Sequence, residues 1–151
     1  LKIHNTLENQ LEEFIPIDQN NVRIYACGPT VYNYAHIGNA RMAVVNDLLV
    51  KFLRSIYPKV TYVSNITDID DKIIKASEET NVPIQELTSK FTKIYNEDMS
   101  MLGIMLPDIQ PKATEHISEM IELIKLLIQI CYFLYLDHLS FSPRFLHFYY
   151  M

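Results

Sequence analysis

The sequence predicts an α/β fold in which parallel strands are joined by long amphipathic helices. Two β-branched runs, 22–27 and 60–63, are each followed by turn residues, as buried strands usually are. Between them, the segment 39–54 repeats apolar residues at steps of three and four, which is typical of a helix with one buried face. This order of elements predicts a right-handed parallel βαβ unit over about 22–66.

Local residue types set the limits of these elements. The first strand, 22–27, ends at Gly28 and Pro29, and the second begins after Pro58. The apolar face of the helix between them is expected to consist of Met42, Val45, Leu48, Leu49 and Phe52. Ligands of open α/β sheets bind beyond the carboxyl ends of the strands, so we expect the functional site at that edge.

A helical segment is predicted to follow over about 68–129. We expect three helices in it, at 68–75, 84–102 and 113–129. Thr67 or Asp68 is expected to cap the first, Pro83 to begin the second and Thr114 to cap the third. The acidic residues near the start of the first helix are interpreted as caps and as partners of the helix dipole, rather than as catalytic groups.

Composition restricts the class of protein. With 49% hydrophobic and 21% charged residues, the chain resembles an ordinary globular domain. Its net charge of -5 gives no general attraction to nucleic acid, so an RNA partner would have to be held by a local basic patch.

The longest apolar stretch, 126–136, is shorter than the roughly 20 residues of a membrane span. This stretch therefore predicts no membrane partner. Cys27 and Cys131 lack disulfide or C-x-x-C spacing, which favours a reducing, cytoplasmic location.

Two short strings lie at the predicted strand-to-helix junction. They are Cys27-Gly28-Pro29-Thr30 and His36-Ile37-Gly38-Asn39. His36 and Asn39 are three residues apart at a helix entrance, so both can face one anionic ligand beside the positive end of the helix dipole. Gly38 would let that ligand approach the backbone. The same pattern also describes a histidine that caps a helix, and the residues alone leave both interpretations open.

A longer set of motifs resembles one enzyme family. The strings 27–32 (CGPTVY), 36–41 (HIGNAR) and 65–74 (NITDIDDKII) closely resemble cysteinyl-tRNA synthetases, which are class I aminoacyl-tRNA synthetases. The likeness covers residues 1 to about 129. It implies the N-terminal half of a Rossmann-like catalytic domain that uses ATP with magnesium to convert L-cysteine to cysteinyl-adenylate and then transfers it to tRNA-Cys.

The resemblance also assigns roles to individual residues. It places ATP at His36, Gly38 and Asn39, and it makes His36 and Asn39 catalytic. It places cysteine and its adenylate at Cys27, Gly28, Thr30, Asn65 and Thr67. Cys27 corresponds to the first of four zinc ligands, where the metal would bind the substrate thiolate in preference to a hydroxyl. Asn39 replaces the commoner histidine of the family and can donate a hydrogen bond but cannot carry charge.

Several parts of such an enzyme are not present in this sequence. They are the second half of the nucleotide-binding fold, three zinc ligands, a Lys-Met-Ser-Lys-Ser loop and a tRNA-binding helical domain. We therefore expect a truncated chain that is inactive alone, or that folds with a complementing C-terminal fragment along an exposed sheet edge. The alternatives are an ATP-dependent ligase that joins cysteine to a small amine, and a non-catalytic nucleotide-binding remnant.

Residues 130–151 differ from the rest of the chain. They are rich in Tyr and Phe, they contain few charges, and no period of 2 or 3.6 continues through them. We interpret this segment as an aromatic tail foreign to the family, and a shifted reading frame would produce such a break.

Overall fold

The computed structural model describes the backbone of residues 1–140 and the side chains of residues 1–131. The chain divides into two compact units, Leu1–Thr114 and a second that begins at Glu115. The interpretation of 130–151 as a foreign tail stays a prediction, and its last part, 141–151, lies outside the described residues.

The chain begins with an antiparallel hairpin of two short strands, β1 (Lys2–Asn5) and β2 (Gln10–Glu13). A hydrogen bond of 3.0 Å from the Asn5 side-chain amide to the Glu12 carboxylate joins the strands. Asn9, in the turn between them, has a φ of 50°, a conformation that asparagine tolerates well. This hairpin was not predicted from the sequence, because its strands expose most of their side chains and so lack an apolar face.

The predicted parallel βαβ unit is confirmed. Strand β3 (Val22–Ala26) pairs in parallel with β4 (Val60–Ser64), and helix α1 (Ile37–Ile56) connects them. The register runs from Val22 opposite Val60 to Ala26 opposite Ser64. Strand β3 ends one residue earlier than predicted, so Cys27 lies in the loop that follows it.

A third segment lies along the other side of β4. Ile109 forms a parallel bridge with Val63, and Lys112 forms one with Ile66. Both carboxylate oxygens of Asp108 accept hydrogen bonds of 2.8 Å from the Arg54 guanidinium. Strand β4 is therefore flanked on both sides, whereas β3 pairs with β4 alone within residues 1–140.

The core of this unit lies between the sheet and one face of α1. Its buried members are Val22, Ala26, Val50, Leu53, Val60 and Tyr62. Each buried apolar side chain of this kind contributes about 1.5–3 kcal/mol relative to an exposed one.

The predicted buried face of α1 is only partly correct: Leu49 packs against the core and Met42 is half-buried, but the other three residues are exposed. The helix buries Ala43, Asp47, Val50 and Leu53, whereas Val45, Leu48 and Phe52 are 58%, 67% and 45% exposed. Apolar residues surround most of this helix, so the periodicity supported two neighbouring faces, and the sheet packs on the less hydrophobic one. An apolar stripe is left exposed on α1.

Two further helices complete the first unit. Helix α2 (Asp71–Thr80) is capped by Asp70, whose carboxylate accepts a 2.8 Å hydrogen bond from the Lys72 N–H. The predicted caps Thr67 and Asp68 are therefore wrong. Helix α3 (Ile84–Met101) follows, with Pro83 at its N-cap position. Together α2, α3 and the loops after β3 and β4 bury a second cluster: Val31, Ile66, Ile73, Leu87 and Phe91.

Asp68 has a different role from the one predicted. It is buried, and its carboxylate accepts hydrogen bonds from the Thr114 N–H at 2.9 Å and from the Thr114 hydroxyl at 2.5 Å. This pair fastens the loop after β4 to the segment at 113–114.

The last described helix begins later and ends later than predicted. A 3₁₀ turn at Ala113–His116 precedes helix α4 (Ile117–Ser140), so Thr114 does not cap an α-helix. The helical backbone continues past Gln129, where the sequence pattern changes. None of the helices in the described part of the chain is long and apolar enough to cross a membrane.

Candidate functional site

A cavity of about 220 Å³ opens where β3 leads into α1. The loop 28–36 forms most of its wall, and Asn39, Lys72, Phe91 and Tyr95 complete it. This is the edge of the sheet at which the sequence predicted a ligand. Of the predicted site residues, the cavity brings together Gly28, Thr30, His36 and Asn39.

His36 and Asn39 are joined through the start of α1. The Nδ1 atom of His36 accepts a 3.0 Å hydrogen bond from the Gly38 N–H, and the Oδ1 atom of Asn39 accepts a 3.1 Å bond from the His36 N–H. This reciprocal arrangement is a capping box, which pairs two backbone donors that the helix itself leaves unpaired. In this structure the histidine does cap the helix.

The cap leaves both side chains able to donate hydrogen bonds to a ligand. Because Nδ1 is an acceptor, the neutral imidazole of His36 carries its proton on Nε2. Asn39 uses its oxygen in the cap, which leaves its Nδ2 amide as the donor. Capping and ligand binding are therefore compatible at this pair, since they use opposite ends of each side chain.

Gly38 lies beneath the capping imidazole. A Cβ atom at this position would lie 2.8 Å from Cε1 and 2.9 Å from Nδ1 of His36. A side chain here would therefore displace the His36 ring.

Gly28 is required by close contact between the loops after β3 and β4. A Cβ atom at Gly28 would lie 1.6 Å from the Asn65 backbone carbonyl oxygen, so no larger residue fits without moving a loop. The Gly28 N–H donates a 2.9 Å hydrogen bond to Oδ1 of Asn65, and Nδ2 of Asn65 donates a 3.2 Å bond to the Thr67 hydroxyl. Asn65 and Thr67 do not line the cavity themselves, but their hydrogen bonds hold the lining residue Gly28 in place.

Backbone pairing strengthens the same junction. The Thr67 N–H donates to the Pro29 carbonyl at 3.0 Å, and the Val31 N–H donates to the Thr67 carbonyl at 3.2 Å. Thr30, which lines the cavity, is opposite Thr67 in this parallel bridge. The two loops are therefore locked to each other where the cavity begins.

Cys27 lies just outside this cavity. Its side chain is exposed, its Sγ atom lies 3.7 Å from the Gly28 carbonyl oxygen, and it is not one of the lining residues. A zinc site needs about four convergent N, S or O ligands. Within the described residues no group of three or more His, Cys, Asp or Glu side chains could hold a metal ion, so Cys27 and its neighbours do not by themselves fit zinc.

The structure adds residues that the sequence analysis did not select. Lys72 lines the cavity with its ammonium group 5.7 Å from the centre of the Tyr32 ring. Tyr95 reaches the cavity from α3 and packs with Ala43 and Met99. Burial raises the pKa of Tyr95 and nearby Tyr62 raises it further, so its phenol stays protonated near neutral pH. Position in the quoted 65–74 string could have indicated Lys72, whereas nothing local indicates Tyr95.

The charge distribution of the wall suits an anion. Among the described residues that line the cavity there is no carboxylate, while Lys72 supplies a positive charge. Donors from His36 and Asn39 lie at the amino end of α1, where the helix dipole is positive. The site is therefore suited to phosphate.

The fold and this junction define a member of the class I synthetases. Residues 13–150 match the family model described as "tRNA synthetases class I (C) catalytic domain", and the chain belongs to that family. Its α/β fold with a parallel sheet agrees with the predicted class.

Within this family, the curated relatives to which the chain is similar are cysteine–tRNA ligases. The chain is 52% identical over 126 residues to a cysteine–tRNA ligase of Ehrlichia ruminantium, covering 83% of the chain and 28% of the relative. It is 54% identical over 128 residues to one from Parvibaculum lavamentivorans, covering 85% and 27% respectively. For one from Xanthomonas campestris, identity is 49% over 128 residues, covering 85% and 28%. The chain thus spans about 28% of the length of these relatives.

Proposed function

We propose that this chain provides the nucleotide-binding part of a cysteine–tRNA ligase. The single observation that carries the proposal is the phosphate-suited cavity at the β3–α1 junction, where His36 and Asn39 can both donate to one ligand. The names of the relatives supply the reaction class. The substrates would be ATP with magnesium, L-cysteine and tRNA-Cys.

The first step places negative charge where these donors lie. A carboxylate oxygen of cysteine bonds to the α-phosphorus of ATP, the bond from that phosphorus to the bridging oxygen breaks, and pyrophosphate leaves. Negative charge grows on the phosphate oxygens in the transition state. Preorganised donors are effective at stabilising such charge. We assign the Nε2–H of His36 and the Nδ2–H of Asn39 to this role, with Gly38 leaving room for ATP.

The amino-acid side of the site is proposed at the β3 and β4 loop ends. Thr30 lines the cavity, and Gly28, Asn65 and Thr67 fix the wall beside it. Cys27, next to this wall, would contribute a thiolate to zinc only with ligands from outside the described residues. No step of the proposed mechanism depends on the metal.

The open edge of β3 supports a complementing partner. Parallel sheets are normally covered on both faces and extend over several strands, yet within residues 1–140 β3 pairs only with β4. The exposed apolar stripe Val45, Leu48 and Phe52 of α1 lies on the same unit. We propose that a C-terminal fragment carrying the remaining strands of the catalytic domain joins at this edge.

We also propose a cytoplasmic location for the protein. Both described cysteines are free thiols, which supports a reducing compartment.

A second candidate function is nucleotide binding without catalysis. It is favoured by one observation: His36 and Asn39 already act as a helix cap in this structure, which gives them a role that needs no reaction. An amine-directed cysteine ligase would share this same site.

The deciding experiment is cysteine-dependent exchange of pyrophosphate into ATP by the 151-residue chain, with and without zinc. Serine in place of cysteine is the control. Exchange that requires cysteine supports adenylation. ATP binding without exchange supports the non-catalytic alternative, and the absence of both refutes a nucleotide site at this junction. A tRNA-Cys acceptor tested against a small-amine acceptor then separates the two ligase classes.

A further inference from the structure

Helix α4 exposes a long apolar surface. Every described side chain of this helix, from 117 to 131, is exposed. Nine of them are large and apolar, with exposed fractions between 39% and 62%: Ile117, Met120, Ile121, Leu123, Ile124, Leu126, Leu127, Ile128 and Ile130. Most of the stability of a helix in a protein comes from packing its apolar face against another element, so this surface requires a partner.

The apolar residues of α4 follow a seven-residue repeat. With Ile117 at the first heptad position, a, the residues Ile117, Ile124 and Cys131 occupy position a, and Met120 and Leu127 occupy position d. We call this row of a and d residues the α4 seam. The e and g positions that flank the seam are also apolar: Ile121, Leu123, Ile128 and Ile130. The repeat is that of helices that pair along their length.

Polar side chains between 117 and 131 lie on the opposite side of the helix. They fall at heptad positions b, c and f: Ser118, Glu119, Glu122, Lys125 and Gln129. A helix that lies on a membrane surface is usually rich in Lys and Arg on its polar face. This face carries two carboxylates and one ammonium, so its charge favours a protein partner over an anionic lipid surface.

We propose that α4 pairs with α4 of a second copy of this chain, parallel and in register along the α4 seam. β-Branched Ile at position a combined with Leu at position d favours two parallel helices. The same face then serves both copies, as two-fold symmetry requires. The eight large apolar residues at positions a, d, e and g expose on the order of 600 Å² per copy, so a pair would bury roughly 1,200 Å², which is the lower end of stable interfaces.

The pairing is independent of the proposed function. The described residues that line the cavity at the β3–α1 junction all lie outside α4. Pyrophosphate exchange and self-association are measured separately, so either can fail while the other holds.

The first test is the mass of the full 151-residue chain in solution. Size-exclusion chromatography with light scattering, at several protein concentrations, should show a dimer of twice the 17.7 kDa chain mass that dissociates on dilution. A monomer at every concentration, or a broad distribution of aggregates, would overturn the proposal. A monomer that sediments with phospholipid vesicles would assign the face to lipid. A monomer that gains helix content only with an added C-terminal fragment of a relative would assign it to that fragment.

The seam is tested with two neighbouring leucines. Leu126 and Leu127 are 51% and 50% exposed, but Leu127 lies in the seam and Leu126 lies at position c on the opposite side. Leu127→Glu removes an apolar side chain from both copies and should raise the Kd of the dimer by about 100-fold or more. Leu126→Glu introduces the same residue into the same helix and should change the Kd by less than about threefold. Equal effects of the two substitutions would show that the seam is not the interface.

The parallel register is tested on the parent sequence with a short bismaleimide. Residues at position a of a parallel, in-register pair face their own counterparts, so the two Cys131 thiols should lie close enough to be linked. Both Cys27 and Cys131 are free and exposed, which makes Cys27 an internal control. Cys27→Ser should keep the linked dimer, and Cys131→Ser should abolish it. A dimer by mass that is not linked at Cys131, or one that is linked only through Cys27, would contradict the parallel pairing.

Discussion

Replacing Gly28 with alanine should destabilise the first unit more than a change at either of the other two glycines of the chain. The added Cβ would lie 1.6 Å from the Asn65 carbonyl oxygen, far inside contact distance, so the loops after β3 and β4 must separate. Forced overpacking of this kind costs about 1–3 kcal/mol. Loss of the hydrogen bond from the Gly28 N–H to Asn65 adds about 1 kcal/mol.

The expected total is about 2–4 kcal/mol, which corresponds to a fall in Tm of roughly 8–16 °C for a domain of this size. Differential scanning calorimetry on the purified chain measures it. Two other glycines serve as controls. Gly103→Ala meets no atom within 4 Å but has a φ of +73°, so it should cost about 1–2 kcal/mol.

Gly38→Ala should change stability by less than about 1 kcal/mol, because the gain in helix propensity offsets the displaced imidazole cap. If Gly28→Ala proved no more destabilising than Gly103→Ala, the two loops would not be as closely packed as described. The contact between Gly28 and Asn65 would then not be what positions the cavity wall.

Three further predictions concern single polar side chains. His36→Asn should keep the helix cap and the Tm but lower cysteine-dependent exchange by about 100-fold, and unchanged exchange would remove His36 from catalysis. Burial raises the pKa of Asp47, but hydrogen bonds from Lys51 and the Met105 N–H, together with the charges of Lys51 and Arg54, outweigh this and hold that pKa below its ordinary value. The stability Asp47 provides is thus complete above about pH 4 and lost as the pH falls below it. Acid titrations of unfolding free energy should therefore decline less steeply for Asp47→Asn than for the parent, and parallel curves would contradict this. Asp68→Ala should cost about 1–3 kcal/mol in urea unfolding, because it removes two hydrogen bonds from Thr114, and Asp68→Asn should cost about half as much. Equal losses would show that the bonds from Thr114 are not the cause.

The βαβ unit could be predicted because local and global signals agree there. β-branched runs stop at Gly28-Pro29 and Ser64-Asn65, and the turn residues mark the same edge at which the cavity opens. The pair His36 and Asn39 was likewise predictable, since spacing at a helix start places both side chains together.

Other features depend on long-range packing that no local pattern records. The helix α1 offers apolar residues on adjacent faces, so periodicity alone could not decide whether Val50 or Leu48 is buried. Asp68 resembles a helix cap in sequence, but its partner Thr114 is 46 positions away. Lys72 and Tyr95 reach the cavity only because α2 and α3 pack beside the loop that follows β3.

The hydrogen bond from the Gly38 N–H to Nδ1 of His36 orients the imidazole together with the first turn of α1. Because this bond occupies the Nδ1 lone pair, only the Nε2 end of the ring can contact a ligand. A ligand that binds there meets a ring whose rotamer the backbone has already selected, so little side-chain entropy is lost on binding.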